Sequence, residues 1–175
     1  MWRKLIKIGI RRELLKSLKA LYTNLYSSVK VNDRQSLAFK VGRGVKQGCT
    51  LSPILFNIFI NDLIEYLNEA VEGIEIGNTK INTLVFADDV VLIADKLQNL
   101  LDALGKGCKD NQMMINHDKT KMIHFRHPKN KLCQSKFSCS ETPIQYTNSY
   151  KYLGVEFTEY LSWAKSVENT AISAN

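Results

Sequence analysis

Acidic side chains are scarce at the front of this chain. Residues 1–50 carry only Glu13 and Asp33 against twelve Lys or Arg, a net charge of +10. Residues 51–175 hold twelve basic and fifteen acidic residues, a net −3, so the whole chain carries +7. A basic front third on a nearly neutral remainder points to a polyanionic partner. For any single lysine in it, a solvated helix face is the competing reading.

Other features are missing too. No stretch approaches the ~18 apolar residues that span a bilayer. The opening MWRKLIKIGIRR spreads its charges instead of building an apolar block, so it is not a secretory leader pattern. The four cysteines, Cys49, Cys108, Cys133 and Cys139, form no C-x-x-C pair. Without a secretory signal, reduced thiols are expected rather than a disulfide frame. His124, His127, Cys133 and Cys139 have a spacing that matches no common zinc finger, and scattered surface residues are the better reading. There are no internal repeats and no low-complexity tract. What remains is a chain of 175 residues, 45% apolar, enough for one globular domain with a core.

Hydrophobic spacing predicts the elements. Residues 2–28 read mostly as helix, broken at Gly9, with Leu14, Leu15, Leu18, Leu21, Tyr22 and Leu25 at helical spacing. Val29–Val31 and Leu37–Val41 read as short strands around an Asn32-Asp33 turn. Gly42, Gly44 and Gly48 mark a loop. Ser52-Pro53 reads as a helix start, with Ser52 as N-cap and Pro53 at the first helical position, and the helix runs to about Ala70. A central hairpin is expected at roughly residues 80–95 and a helix over 97–111. Single strands are expected at Lys121–Arg126 and Tyr150–Phe157, with a loop over 127–142. The order suggests an α+β layer fold, several strands with helices packed on one face.

The segment Leu84 to Asp95, LVFADDVVLIAD, concentrates the chemistry. Two strand-length apolar runs flank Asp88 and Asp89, which predicts a hairpin with the two carboxylates at its turn. Held together they repel, and a divalent cation relieves the repulsion; hard oxygen ligands suit Mg²⁺. Alone, the pair is better explained by the preference of Asp for turns.

Three segments taken together reverse that preference. Gly44-Val45-Lys46-Gln47-Gly48-Cys49-Thr50-Leu51-Ser52-Pro53 comes first, then Phe86-Ala87-Asp88-Asp89, then Ile115 to Lys121, followed by Tyr152-Leu153-Gly154. In this order and spacing, residues 1–160 resemble part of the palm of reverse transcriptases, RNA-directed DNA polymerases, most closely those of non-LTR (LINE-type) retrotransposons. The resemblance implies a palm-like antiparallel sheet with helices on one face. It implies nucleotidyl transfer aided by two Mg²⁺ (or Mn²⁺) ions ~3.5–4 Å apart, acting on an RNA template, a DNA primer and deoxynucleoside triphosphates, with no membrane partner. It makes Asp88 a metal ligand, with Asp89 supporting it or supplying a second contact. Phe86 and Ala87 would pack the turn near the primer end, where a bulky residue at 87 would not fit. Gln47 and Gly48 would meet nucleotide and template, with Arg43 and Lys46 toward phosphates. Lys119 would act as general acid or electrostatic stabiliser at the leaving pyrophosphate. Tyr152, Leu153 and Gly154 would steady the primer. The family usually has a glycine before the apolar pair Met113-Met114; this chain has Gln112, which predicts a local backbone difference.

The resemblance also predicts what this chain lacks. A further aspartate is expected shortly before a segment like Trp2 to Leu5, and neither Glu13 nor Asp33 lies in its place. The expectation is therefore an N-terminally truncated domain over 1–160, without fingers or first catalytic strand, and a truncated segment over 161–175. The other parts of a parent polyprotein would be its partners. Such a fragment would have little or no polymerase activity and would expose an unpaired sheet edge. A non-catalytic nucleic-acid-binding remnant is the alternative. A phospho-acceptor receiver is set aside, because Asp89 leads straight into another strand. Relatives of this type work on nuclear DNA or in cytoplasmic particles.

Overall fold

Gly9 divides the first helical stretch as its sequence position suggests. It sits at φ +93°, which glycine adopts without steric cost, between α1 (Trp2–Lys7) and α2 (Arg12–Tyr22). The computed structural model describes residues 1–42, 44–164 and 167. Leu5 of α1 and Leu18 of α2 are buried against Leu55, with Trp2, Ile10, Leu15, Tyr22 and Ile58 packed around them. Lys4 is drawn into this packing. Its Nζ donates to the Phe59 carbonyl, lies 4.6 Å from the Phe59 ring centroid and is 3.3 Å from Asp62 Oδ2. One of the front-third cations is thus a structural tie rather than a free charge.

Four short strands follow: β1 (Tyr26–Ser27), β2 (Lys30–Val31), β3 (Arg34–Gln35) and β4 (Phe39–Lys40). β2 pairs with β3 and β1 with β4, both antiparallel, around the expected Asn32-Asp33 turn. The helix predicted to start at Ser52 is α3 (Leu51–Ala70), with Leu55, Ile60, Leu63 and Leu67 buried at helical spacing. Ser52 is not its N-cap. It lies one residue inside the helix, and its buried hydroxyl donates to the Lys46 carbonyl at 2.7 Å instead of accepting from the helix.

The central hairpin is two hairpins. β5 (Ile74–Ile76) and β6 (Thr79–Ile81) pair around Gly77-Asn78, and β7 (Thr83–Phe86) pairs with β8 (Asp89–Leu92). α4 (Leu97–Asp110) buries the expected Leu100, Leu101 and Leu104. The strand predicted over 121–126 shrinks to β9 (Lys121–Met122). Within the predicted loop, β10 (Ser138–Cys139) pairs with β11 (Thr142–Pro143), and β9 pairs in parallel with β12 (Gln145–Tyr146). The single strand expected over 150–157 is instead a hairpin of β13 (Ser149–Tyr152) and β14 (Val155–Thr158). Leu153 at φ +47° and Gly154 at φ +86° form its two-residue loop. Leucine rarely adopts positive φ, so nothing in YKYLGVEF except Gly154 signals the reversal.

The described residues therefore mix helices with small, mostly antiparallel two-stranded sheets, in agreement with the α+β expectation. They divide into two compact units. One comprises Met1–Glu65 with Val85–Val91, the other Tyr66–Leu84 with Leu92 onward. Among the described residues no helix is long and apolar enough to cross a membrane.

Candidate functional site

The β7–β8 hairpin presents the carboxylate pair. Along β7 burial alternates, with Thr83 and Val85 half-buried and Leu84 and Phe86 exposed. The loop is Ala87-Asp88, so Asp88 occupies the turn and Asp89 opens β8. This shifts the turn one residue from the Asp88-Asp89 pair expected. Ala87 sits at φ +52° while Asp88 does not have positive φ. Positive φ at the first of two loop residues is the geometry that normally takes glycine. Both carboxylates and Phe86 are exposed.

The chemistry of this pair suits a hard divalent cation, Mg²⁺ or Mn²⁺. Magnesium is commonly held by one or two carboxylates, with waters and substrate phosphates completing its shell. The described residues contain no cluster of three or more His, Cys, Asp or Glu that could hold a metal ion. The hairpin thus fits as a two-carboxylate share of a site and not as a self-sufficient cage.

The same compact unit holds the Gly44–Pro53 segment. Gln47 and Gly48 form an exposed turn, and Lys46 is exposed beside it. Gly48 is at φ +77°, and a Cβ there would meet nothing within 4 Å, so its backbone conformation rather than crowding calls for glycine. The turn is anchored from behind through contacts that the sequence did not single out. Tyr22 OH lies 3.0 Å from Ser52 Oγ and 3.6 Å from Cys49 Sγ, and Trp2 packs edge-on against Tyr22. The Tyr22 hydroxyl and the Leu51 backbone hold the Cys49 thiol below its usual range. On Tyr22 the Ser52 hydrogen bond lowers the pKa, but burial and Cys49 together raise it overall. A tyrosine thirty residues from Ser52, at a generic apolar helix position, gives no local signal of this contact. Arg43 lies outside the described residues.

Lys119 and the Tyr152–Gly154 turn belong to the second unit. Lys119 is exposed at the end of a turn in which its amide donates to Asn116 Oδ1 at 3.2 Å. The Tyr150 hydroxyl donates to the Lys119 carbonyl at 3.1 Å, tying that turn to β13. Upstream, Gln112 does what the expected glycine would do. It sits at φ +55°, its amide donates to the Lys109 carbonyl at 3.1 Å, and the Met113 amide donates to the Cys108 carbonyl at 2.8 Å. This paired closure around a left-handed residue is a common helix C-terminus. Gln112 thus occupies a left-handed position that glycine favours.

Among the described residues, His124, His127, Cys133 and Cys139 do not gather as a group of three or more potential metal ligands. His124 Nδ1 accepts the Cys133 amide at 3.1 Å, and buried Cys139 donates from Sγ to the Leu101 carbonyl at 3.4 Å. A shallow cleft of ≈ 440 Å³ at the end of α3 and α4, lined by Tyr66, Glu69, Asn99, Asp102 and Lys106 among others, contains none of the predicted site residues.

Comparison with known proteins agrees with the segments described above. The family model for reverse transcriptase (RNA-dependent DNA polymerase) matches residues 2–157, and the chain belongs to that family. Among its relatives are R2 and jockey proteins of non-LTR retrotransposons, the class that the sequence resembles. The chain is 38% identical over 130 residues to the Retrovirus-related Pol polyprotein from type-2 retrotransposable element R2DM of Drosophila melanogaster, covering 69% of this chain and 12% of that protein. It is 26% identical over 187 residues to the corresponding polyprotein from type-1 retrotransposable element R2 of Popillia japonica, covering 95% of this chain and 31% of that protein. The RNA-directed DNA polymerase from mobile element jockey of Drosophila funebris is 26% identical over 164 residues, covering 89% of this chain and 17% of that protein. The chain thus spans less than a third of the length of each of these relatives.

Proposed function

We propose that this chain is part of the palm of an RNA-directed DNA polymerase that extends a DNA primer on an RNA template from deoxynucleoside triphosphates. The observation that carries the reading is the exposed two-residue turn of a β-hairpin presenting Asp88 and Asp89, within a chain of the reverse transcriptase family. Asp88, at the loop, and Asp89, at the first residue of β8, would hold Mg²⁺ or Mn²⁺. Such ions, when bound, stabilise the charge that develops on the attacking and leaving oxygens. Ala87 keeps the turn narrow, and exposed Phe86 offers an apolar surface beside it. Gln47 can donate to and accept from a base edge, and Gly48 gives the turn its left-handed bend. Lys119 would deliver its proton or charge to the departing pyrophosphate. The Leu153-Gly154 turn, following Tyr152, would bear on the primer strand.

Two carboxylates bring two negative charges to a site meant for two divalent ions. The 175-residue polypeptide by itself is therefore expected to support little or no synthesis. A primer-extension assay on an RNA template tests this: negligible product is expected, and robust templated synthesis by the isolated chain would overturn it. The second reading, a nucleic-acid-binding remnant, is favoured by the net +10 of residues 1–50. It predicts salt-sensitive binding without sequence preference.

A further inference from the structure

Residues 26–40 stand apart from every other stretch of comparable length, because each of them is exposed. They form one continuous antiparallel arm. Tyr26 pairs with Lys40 and Ser27 with Phe39 in β1–β4, while Lys30 pairs with Gln35 and Val31 with Arg34 in β2–β3. The ladders are bridged by the Ser36 amide donating to the Val29 carbonyl at 2.9 Å and closed at the base by the Val41 amide donating to the Leu25 carbonyl at 2.8 Å. The register slips by one residue between the ladders, so the returning strand carries one extra residue, a bulge around Leu37-Ala38. Leu37 is 93% exposed. A bulge reverses which face the following residues take.

This register sorts the arm into two unlike faces. Cross-strand partners share a face and neighbours alternate. One face carries Tyr26, Ser28, Lys30, Gln35 and Lys40, and the Gln35 Nε2 donation to Ser28 Oγ at 2.7 Å across the strands agrees with that assignment. The other carries Val29, Val31, Arg34 and Phe39. The first face holds two lysines and a 62% exposed tyrosine ring, and no acid. Among the described residues neither lysine has a carboxylate partner. The lysines lie four residues apart along the ribbon, roughly 13 Å at the rise of a β-strand.

We propose that this face of the arm is a contact surface for a single nucleic-acid strand, with Tyr26 stacking on a base, Lys40 directly across from it meeting the adjacent phosphate and Lys30 a phosphate further along. An aromatic ring combined with cations along one face is the arrangement that grips single strands without reading sequence. The charge selects a polyanion over a second protein. The proposal rests on the polymerase reading but concerns a surface outside the carboxylate turn.

Binding of the full 175-residue chain to a fluorescent oligouridylate, titrated over salt, tests it. Lys30→Gln/Lys40→Gln should weaken binding and lower the slope of log affinity against log salt by about 1.4, two phosphates at ~0.7 each. Tyr26→Ala should weaken binding roughly five- to one-hundredfold with the slope unchanged. Phe39→Ala, also exposed but on the other face, should bind as the wild type does. Wild-type binding that ignores the Tyr26 and lysine changes, or that falls equally with Phe39→Ala, overturns the arm while leaving the polymerase reading standing. Absence of wild-type binding even at low salt removes both.

Discussion

The side-chain amide of Asn82 lies 2.7 Å from the carbonyl oxygen of Val71 and 3.1 Å from that of Leu67. Asn82 is buried, and its own carbonyl accepts the Ile93 amide at 2.7 Å. One residue thus satisfies backbone acceptors at the C-terminus of α3, which has no further helical turn to bond them, and sets the start of β7. Asn82→Ala is expected to cost about 2 kcal/mol, from two lost hydrogen bonds and buried carbonyls left unpaired. Urea unfolding reads this directly, and a loss under about 0.5 kcal/mol would show that water replaces the amide freely.

Gln112 gives the opposite sign. Its positive φ strains a side chain that glycine would not carry. Gln112→Gly is expected to raise stability by about 1 kcal/mol, the usual scale of the left-handed penalty. An increase in the urea midpoint at unchanged slope would show it. No gain would mean that the side chain of Gln112 compensates locally.

Arg126 and Glu159 make the most sheltered ion pair among the described residues, with side chains 12% and 14% exposed. The hydrogen bond from Arg126 holds the Glu159 carboxyl below its ordinary range. Unfolded, that carboxyl titrates near 4.3. Because its folded pKa is depressed, the pair's contribution is complete above the unfolded value and is lost as pH falls through the folded one. Unfolding measured between pH 7 and pH 3 should therefore show an acid-side decline that Glu159→Gln reduces. An unchanged pH profile in that variant would remove the pair from the account.

The cysteines divide by environment. Burial pushes the Cys108 thiol up to about 11, and burial also raises Cys139. Hydrogen bonds lower Cys49, chiefly from Tyr22, and Cys133, chiefly from Ser135. Since the thiolate is the nucleophile, brief alkylation at pH 7.5 should label Cys49 and Cys133 well before Cys108 and Cys139. Mass mapping with the reverse order would contradict the packing of α4 on β10.

The parts legible in the sequence were those fixed by local chemistry. The Gly9 break, the Asn32-Asp33 turn, the extent of α3 and the apolar face of α4 follow from periodicity and from residues with strong conformational preferences. The β13–β14 reversal was missed because Leu153 occupies a left-handed position that leucine disfavours. The β5–β6 hairpin was missed although Gly77-Asn78 offered a turn signal; its short strands carry little periodicity. Of the candidate site, the three motif segments were readable. The anchoring by Tyr22 and Ser52 and the role of Asn82 were not, because those contacts join residues distant in sequence. Gln112 was not legible as a left-handed position either, because glutamine carries no preference for positive φ.

The central claim is that Asp88 and Asp89 are the chain's divalent-cation ligands. The most direct measurement is amide NMR of the 175-residue chain titrated with substoichiometric Mn²⁺, whose paramagnetism broadens nearby resonances. The account predicts broadening confined to residues around Phe86–Val90, reversed by excess Mg²⁺ and absent in Asp88→Asn/Asp89→Asn. Broadening centred elsewhere, or unchanged in that double variant, would contradict it.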